Sequence, residues 1–448
     1  MLHKKFDIIN SKKISNFKKI ISVDGDKSSS IRALLLSSIS ENISTIENLL
    51  ESEDVDSTRK CLKKLGVVIK KNSKKYYIYG QGLGSLSAKK NMKLNFGNSG
   101  TLARLLIGIL STTPEIELNL DGDNSLRKRN MKSLKKLMSE FGALFSPSTK
   151  DYLPFKIKSS DMPIGIDYVA GKSAQLKSAV MLAGLNSFGN TNIVEKHKSR
   201  NHTELLLKKN IKSIKINNAR GISKIKIFGK QTLKSNTIKI FGDPSSAAFF
   251  VALTILKKNS QLYIKNVLLN RTRIGFYDLL KKFGAKIVFK NIRKSNNETI
   301  GDIFVKSCKL KPITANSKYY YNSTDEYPIL FVIAALIDGK STFRGIEELK
   351  NKESDRVKEM QKILGQIGVV TKYKNGSLII FGKKNFKNTI TVNVPSLGDH
   401  RICMSALILS LVTGIKSNIK NFETVKTSFP SFLKLIKFLG GTYEIKKN

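Results

Sequence analysis

Six short stretches, here called openings, each precede an apolar helical pattern and recur at nearly constant spacing. This regularity constrains the fold more than any other feature of the chain. They begin at Ser28, Asn98, Ser173, Pro244, Thr324 and Gly398, so successive starts lie 70, 75, 71, 80 and 74 residues apart. About a dozen mainly apolar residues follow each start. A fixed period is typical of one supersecondary module copied several times. The sequence therefore predicts a sixfold repeat.

A second marker runs in phase with the first. In five repeats an amphipathic Lys/Leu helix stops at a glycine before a strand pattern, at Gly66, Gly142, Gly284, Gly368 and Gly440. Glycine suits the left-handed backbone of a helix C-cap, and Asn210, the next best residue, stands at that point in the third repeat. Each repeat is predicted to contain a buried helix, strands, an amphipathic helix and a further strand. Because the period exceeds that of solenoids, compact α/β modules are expected.

Length and the absence of export signals bound the class of protein. A chain of 448 residues is too long for one core, so two domains of three repeats are expected. The apolar helices fall short of the ~18 residues that a bilayer span needs, and the basic N-terminus lacks the apolar stretch of a secretory signal. The three cysteines are isolated, and the four histidines lack metal-ligand spacing. We therefore predict a cytoplasmic protein without a metal site.

The net charge of +45 first suggests a nucleic-acid binder. Lysine, however, is spread along the whole chain, which is typical of a solvated surface. The arginines are few, and each suggests a task that lysine performs poorly, such as a bidentate grip on phosphate or carboxylate. Those in or beside the repeat openings and charged loops are Arg32, Arg104, Arg129, Arg200, Arg356 and Arg401. They favour a small, multiply charged anionic ligand over a polymer.

The openings of the first three repeats provide candidate anion sites. Lys27 and Ser28 stand where a helix begins, with Arg32 one turn further on; a serine N-cap with two surface cations is the simpler alternative. In the second opening Asn98 or Ser99 is the expected cap, and Gly100 allows close backbone approach. The third opening places Ser173 and Gln175 at a helix start, where Ser173 could be a plain N-cap, and Ser199 follows in a charged loop.

The later repeats supply carboxylates beside cations. Asp325 and Glu326 precede a helix so apolar that it must be buried, although capping charges would explain both. Lys352 and Arg356 are four residues apart, which predicts one helix face, with Glu353 turned toward a neighbouring face. Asp399, His400 and Arg401 precede the last apolar helix.

Taken together, these openings resemble the signature motifs of the 5-enolpyruvylshikimate-3-phosphate synthase family, in family order over nearly the whole chain. The matching stretches are GDKSSSIRALLL, FGNSGTLARLL, GDNSLRKRNM, SAQLKSAVMLAGL, SRNHTE, GDPSSAAFF, DEYPILFVIAAL, NKESDRV and GDHRICMSALIL. The resemblance implies an α/β enolpyruvyl transferase-like fold of two domains, each with three units of buried parallel helices and outer sheets. It places residues 23–242 in one domain and residues 1–22 plus 243–448 in the other.

The resemblance also implies an activity and its residues. The carboxyvinyl group of phosphoenolpyruvate would move to the 5-hydroxyl of shikimate 3-phosphate, with Asp325 as proton acceptor, Glu353 as proton donor and Lys27 sharing the proton work. The ligands implied for shikimate 3-phosphate are Lys27, Ser28, Arg32, Ser173, Gln175, Ser199, Asp325 and Lys352. Those implied for phosphoenolpyruvate are Lys27, Gly100, Arg129, Gln175, Arg356 and Arg401. No metal, cofactor, nucleic acid or membrane partner is implied, and a monomer is expected.

Several positions depart from the family pattern. Ala174 replaces a serine that some members use as a ligand, Lys426 is out of register because Ser428 is inserted after it, and Glu348 replaces a polar contact. Two other functions stay open. One is the related UDP-N-acetylglucosamine enolpyruvyl transferase, disfavoured because no cysteine lies near residues 120–130. The other is a nucleic-acid-binding or RNA-end-processing protein, which only the charge supports.

Overall fold

The computed structural model describes residues 5–386 and 390–447. An α-helix begins at or near each of the six predicted openings. In chain order the helices are α1 (Lys27–Ser38), α2 (Glu53–Lys64), α3 (Gly100–Ser111), α4 (Lys132–Glu140), α5 (Ala174–Leu185), α6 (His202–Leu207), α7 (Pro244–Leu256), α8 (Gly275–Lys282), α9 (Lys318–Ser323), α10 (Tyr327–Ala335), α11 (Arg356–Gln366), α12 (His400–Thr413) and α13 (Phe432–Phe438). Short 3-10 segments cover Leu126–Lys128, Glu347–Asn351 and Phe422–Thr427.

The strands complete each repeat. They are β1 (Phe6–Asn10), β2 (Lys18–Ser22), β3 (Ile43–Glu47), β4 (Val68–Asn72), β5 (Lys75–Tyr79), β6 (Lys93–Asn95), β7 (Glu117–Asp121), β8 (Leu144–Ser146), β9 (Phe155–Lys158), β10 (Asp167–Ala170), β11 (Asn190–Glu195), β12 (Ile214–Ala219), β13 (Ile222–Phe228), β14 (Thr237–Lys239), β15 (Gln261–Leu268), β16 (Lys286–Ser295), β17 (Glu298–Lys306), β18 (Thr314–Ala315), β19 (Gly339–Phe343), β20 (Val370–Lys374), β21 (Ser377–Gly382), β22 (Thr391–Val394), β23 (Lys416–Ile419) and β24 (Glu444–Lys447).

The strands form six four-stranded sheets of one design. The strand orders are β14-β3-β5-β4, β6-β7-β9-β8, β10-β11-β13-β12, β2-β15-β17-β16, β18-β19-β21-β20 and β22-β23-β1-β24. In every sheet the second strand pairs parallel with the first and antiparallel with the third. The same pairing six times is the structural form of the sequence repeat, and it confirms the predicted α/β fold.

The chain divides into two compact units. The first unit contains residues 25–240 and 295–298, and the second contains the chain up to Asp24, residues 241–294 and everything from Thr299 onward. The sequence places these boundaries at 22/23 and 242/243. Each unit holds three of the six sheets and its own cluster of buried apolar side chains.

The apolar helices lie in the two cores, as their composition requires. Every residue from Pro244 to Ile255 in α7, from Tyr327 to Ala335 in α10 and from His400 to Val412 in α12 is buried. Within the second unit these three helices contact one another, and in the first unit α3 contacts both α1 and α5. A helix that is apolar on all sides must be buried. Across the described residues, no helix has the length and hydropathy to cross a membrane.

The amphipathic helices end as predicted in five repeats. The glycines at 66, 142, 284, 368 and 440 all have positive φ, between 71° and 101°. The prediction for Asn210 is wrong, because it is not among the residues with positive φ. In that repeat α6 already ends at Leu207, and the Asn210 side chain instead accepts the Lys234 N–H at 2.9 Å.

The helical spacing predicted for Lys352 and Arg356 is also wrong. The 3-10 segment ends at Asn351, and α11 begins only at Arg356, with Asp355 as its N-cap. The Asp355 carboxylate accepts the Lys358 N–H at 3.0 Å. A short acidic side chain at this position competes for backbone donors and starts the helix there. Lys352 and Glu353 therefore lie in the preceding loop, with their backbone freed from helical geometry.

Candidate active site

The first turn of α1 places Lys27 beside a buried carboxylate. Asp26, and not a serine, caps the helix by accepting the Ser29 N–H at 2.6 Å. Lys27 Nζ lies 3.0 Å from Oδ2 of Asp54, which is 5% exposed on α2. The ammonium is thereby fixed at a helix N-terminus, where the dipole and the backbone N–H groups favour an anion. Sequence reasoning missed Asp54, because an acid in a first helical turn indicates nothing beyond the helix dipole.

Arg32 lies beside Ser28, as predicted, and is held on several sides. Its Nε donates to Thr203 Oγ1 at 2.9 Å, Nη1 to the Ser28 carbonyl at 3.1 Å and Nη2 to Ser178 Oγ at 3.1 Å. These bonds join the beginnings of α1, α5 and α6. A guanidinium suits this place because it donates in several directions at once, whereas an ammonium is a point charge.

Gly100 begins α3 between two guanidinium groups. A Cβ on this residue would lie 2.8 Å from Arg104 Nη1 and 2.9 Å from Arg129 Nη1. Arg129 also donates from Nη2 to Asn98 Oδ1 at 2.7 Å, and the α3 cap is Ser99. The missing side chain therefore lets two guanidinium groups approach the backbone at a helix N-terminus, and such a cluster of positive charge favours an anion.

The beginning of α5 assembles the third group of predicted residues. Ser173 Oγ accepts the Leu176 N–H at 3.3 Å, so Ser173 is the N-cap of α5. Gln175 Nε2 donates to Thr101 Oγ1 at 2.9 Å, which links α5 to α3. Ala174 is half-buried and offers a ligand only a methyl group besides its backbone.

In the second unit, a fully buried arginine gathers the two predicted proton-transfer residues. Arg356 Nη2 lies 2.6 Å from Glu353 Oε2, Nη1 lies 3.6 Å from Asp325 Oδ1, and Nε donates to Asp399 Oδ2 at 2.9 Å. Burial disfavours the charged guanidinium, but the three carboxylates outweigh it and raise the pKa of Arg356 well above its usual range. The arginine thus stays charged. From sequence, Asp399 is only the residue before a helix, so its pairing with Arg356 was missed.

Arg401 presents a buried cation at the beginning of α12. It is 3% exposed, and its guanidinium lies over the Phe249 ring, 5.8 Å from the centroid. Among the described residues, neither Nε nor Nη1 of Arg401 has a hydrogen-bond partner. Leaving buried donors of a charged group unpaired is costly, so such groups commonly await a ligand. Unpartnered donors on a buried cation favour an anionic ligand such as a carboxylate or phosphate.

The remaining predicted residues lie in looser surroundings. Lys352 is half-buried in the loop before α11, and Glu348 is exposed in the 3-10 segment before it. Lys426 Nζ lies over the Phe6 ring, 5.5 Å from its centroid. In residues 5–386 and 390–447, no group of three or more His, Cys, Asp or Glu side chains is arranged to hold a metal ion.

The fold and these charged openings define a class. The crystal structure of the enolpyruvyl transferase NikO from Streptomyces tendae is similar to this chain, with a TM-score of 0.76 over 99% of this chain and 100% of the other, at 13% sequence identity. At that identity the likeness shows the fold alone. The chain therefore has the enolpyruvyl transferase fold.

Closer relatives narrow the class. The family model described as EPSP synthase (3-phosphoshikimate 1-carboxyvinyltransferase) matches residues 11–436, and the chain belongs to that family. The 3-phosphoshikimate 1-carboxyvinyltransferase of Zymomonas mobilis is 39% identical, covering 95% of this chain and 94% of the relative. That of Caldicellulosiruptor saccharolyticus is 40% identical, covering 95% and 98%. The EPSP synthase structure from Acinetobacter baumannii is 33% identical, with a TM-score of 0.82 over 99% and 100%.

Proposed function

We propose that this chain transfers the carboxyvinyl group of phosphoenolpyruvate to the 5-hydroxyl of shikimate 3-phosphate, releasing phosphate. The product, 5-enolpyruvylshikimate 3-phosphate, belongs to the shikimate pathway to chorismate and aromatic amino acids. Membership of the family and the order of the matching motifs along the chain support this activity. We further propose that the protein acts as a monomer in the cytoplasm, without a metal or cofactor.

The chemistry sets three requirements. The substrate hydroxyl must lose a proton as its oxygen bonds to C2 of phosphoenolpyruvate, and the methylene carbon must gain one. Because the vinyl double bond reappears in the product, the added proton must leave again as the C2–phosphate bond breaks. A proton must therefore be both given to this carbon and taken from it, and fixed cations must hold two phosphates and a carboxylate.

The residues of the second unit suit the proton transfers. We assign Asp325 as the base for the hydroxyl and Glu353 as the donor to the methylene carbon, with Lys27 sharing the proton transfers. Arg356 contacts both carboxylates. An anionic substrate that binds the Arg356 guanidinium would compete with both carboxylates for it.

The ligand roles follow the predicted sets. Shikimate 3-phosphate is assigned to Lys27, Ser28, Arg32, Ser173, Gln175, Ser199, Asp325 and Lys352, and phosphoenolpyruvate to Lys27, Gly100, Arg129, Gln175, Arg356 and Arg401. The observation that carries the proposal is the buried Arg401 guanidinium, whose Nε and Nη1 have no partner within the described residues. A buried guanidinium with two unpartnered nitrogens in the described part of the chain, two residues after the Asp399 that pairs with Arg356, favours an anionic substrate there.

The test is release of inorganic phosphate by the purified chain. We expect release with shikimate 3-phosphate and phosphoenolpyruvate together, and none when either is omitted. Arg401→Gln should raise the KM for phosphoenolpyruvate at least tenfold, because a charge-assisted hydrogen bond contributes about 1.5–3 kcal/mol.

Two matched measurements make the test selective. Arg59→Gln removes an arginine that pairs with Asp56 on the surface of α2, and it should leave both KM values unchanged. Replacing shikimate 3-phosphate with UDP-N-acetylglucosamine should give no phosphate. Phosphate release only with UDP-N-acetylglucosamine would reject the proposed reaction in favour of the UDP-N-acetylglucosamine enolpyruvyl transferase. No release together with tight binding of duplex DNA would reject it in favour of a nucleic-acid-binding protein.

A further inference from the structure

A buried group of three charged side chains lies behind the predicted ligand Ser199. Lys177, on α5, is fully buried, and its Nζ lies 2.8 Å from Glu195 Oε1 and 2.6 Å from Glu204 Oε1. Glu195 ends β11 and Glu204 lies in α6. No role in the reaction has been given to these three residues. Burying charged groups has a desolvation cost, so the contacts of these three side chains indicate why they are buried.

A single carboxylate oxygen of this group, Oε1 of Glu195, accepts both hydrogen-bond donors of Ser199. Glu195 Oε1 accepts the Ser199 N–H at 2.9 Å and the Ser199 hydroxyl at 2.6 Å, in addition to the Lys177 ammonium. Ser199 is 3% exposed in this position. The sequence predicts Ser199 as a ligand of shikimate 3-phosphate, but the structure directs its hydroxyl inward.

The Ser199 hydroxyl cannot donate to Glu195 and to a phosphate at the same time. A serine hydroxyl has one proton to donate, and here it is given to Glu195. A phosphate dianion offers only acceptors, so Ser199 cannot bind it through the hydroxyl without leaving the carboxylate. Rotation about the Cα–Cβ bond would move the hydroxyl outward while the Ser199 N–H keeps its bond to Glu195. The Lys177 ammonium would still pair with Glu195 after the hydroxyl has left, although it also pairs with Glu204.

We propose that Glu195, fixed by Lys177, is a positioning residue that holds the Ser199 hydroxyl in the free protein and yields it to the phosphate of shikimate 3-phosphate on binding. This inference rests on the proposed function, because it needs that substrate at Ser199. One hydrogen bond to a charged acceptor is exchanged for another. The hydroxyl therefore adds little net affinity in the native protein, although it contacts the ligand.

The exchange predicts an unusual pattern of affinities, measured by calorimetric titration with shikimate 3-phosphate. Ser199→Ala alone should change the Kd less than about threefold, because the lost contact and the lost restraint offset each other. Glu195→Asp shortens the side chain but keeps the charge beside Lys177, which frees the hydroxyl for the ligand. In the Glu195→Asp background, Ser199→Ala should therefore weaken binding by roughly three- to tenfold.

The controls separate positioning from structural damage. Ser187→Ala removes a buried hydroxyl just beyond the other end of α5, bonded to the Ala183 carbonyl at 3.0 Å, and should be silent in both backgrounds. The KM for phosphoenolpyruvate should stay within about twofold in every variant. If Glu195→Asp does not fold, Glu195→Gln is the second background, because the amide oxygen holds the hydroxyl less strongly than a carboxylate.

The outcomes are distinct. Equal effects of Ser199→Ala in the two backgrounds, or a loss of more than about tenfold in the native background, would overturn the exchange while leaving the enzyme activity intact. Absence of both phosphate release and shikimate 3-phosphate binding in the unaltered protein would instead reject the proposed function.

Discussion

Gly100→Ala should weaken the grip on phosphoenolpyruvate without unfolding the protein. The new Cβ would lie 2.8 Å from Arg104 Nη1 and 2.9 Å from Arg129 Nη1, about half an ångström or more inside ordinary contact. Both atoms are the far ends of flexible side chains, so they can move at little cost in stability. Movement of Arg129, however, displaces a cation that is assigned to phosphoenolpyruvate under the proposed function, and it strains the bond of Arg129 to Asn98.

The expected magnitude follows from one displaced charge-assisted contact. Losing such a bond costs about 1.5–3 kcal/mol, so the KM for phosphoenolpyruvate should rise roughly 10- to 150-fold, with the KM for shikimate 3-phosphate within about threefold. The family resemblance implies that glyphosate would bind beside this glycine. We therefore predict that glyphosate inhibits the unaltered protein and inhibits Gly100→Ala much less.

Steady-state phosphate release, with each substrate varied in turn and with glyphosate added, measures all three quantities. Gly365→Ala is the matched control, because a Cβ there meets nothing within 4 Å and should leave both KM values and the melting temperature near those of the native protein. An unchanged KM for phosphoenolpyruvate in Gly100→Ala would refute the reasoning. Equal glyphosate inhibition of the variant and the native protein would refute the placement of the inhibitor.

Three further changes test the chemistry, the charge balance and the packing. Glu353→Gln should lower kcat by about 10²- to 10⁴-fold with little change in the KM for shikimate 3-phosphate, as expected for lost proton transfer; near-normal turnover removes Glu353 from the mechanism. Burial raises the pKa of Asp24 above its ordinary 3.8, although its bond from the Ser431 N–H lowers it, so the native state loses stability as pH rises above that value. Asp24→Asn should melt higher at neutral pH with a flatter pH dependence, and a lower melting point at pH 7 would contradict this. Gly108→Ala puts a Cβ 2.6 Å from the Ala179 carbonyl oxygen, so the melting temperature should fall by about 2–10 °C while the KM values hold; an unchanged melting temperature would show that the helices separate freely.

The repeat made most of the fold predictable. Its period located the six buried helices, and the glycines located the ends of the amphipathic ones, because both signals are local in sequence. The predicted α/β fold and family are confirmed by the sheets and by the family match. Asn210 shows the limit of prediction from a repeat. The third repeat resembles the others in sequence, but its helix α6 is shorter. Local propensity could not reveal that the side chain instead accepts a backbone N–H from Lys234.

Sequence motifs single out the candidate site residues, but they do not reveal the partners of those residues. Lys27, Arg356 and Arg401 stand out because motifs name them, whereas Asp54 and Asp399 matter through contacts made by folding. Asp54 is 27 residues from Lys27 and Asp399 is 43 residues from Arg356. No local pattern signals such pairs. The prediction for the loop before α11 is wrong for the opposite reason. Lys352 and Arg356 have a helical spacing in the sequence, but with Asp355 as N-cap α11 begins only at Arg356.

The net charge and the arginine placement carry different information. Many lysines lie on the surface, some over aromatic rings, as Lys281 does with its Nζ 3.7 Å from the Phe289 centroid. Such cations raise the charge without defining a partner. Arg356 instead directs separate nitrogens to Asp399 and Glu353, which a single ammonium cannot match in geometry. Lys177 shows the converse, because two carboxylates converge there on one point charge. The proposed substrate recognition therefore rests on where a few cations are buried and how their donors are directed, and the net charge of +45 adds little to that argument.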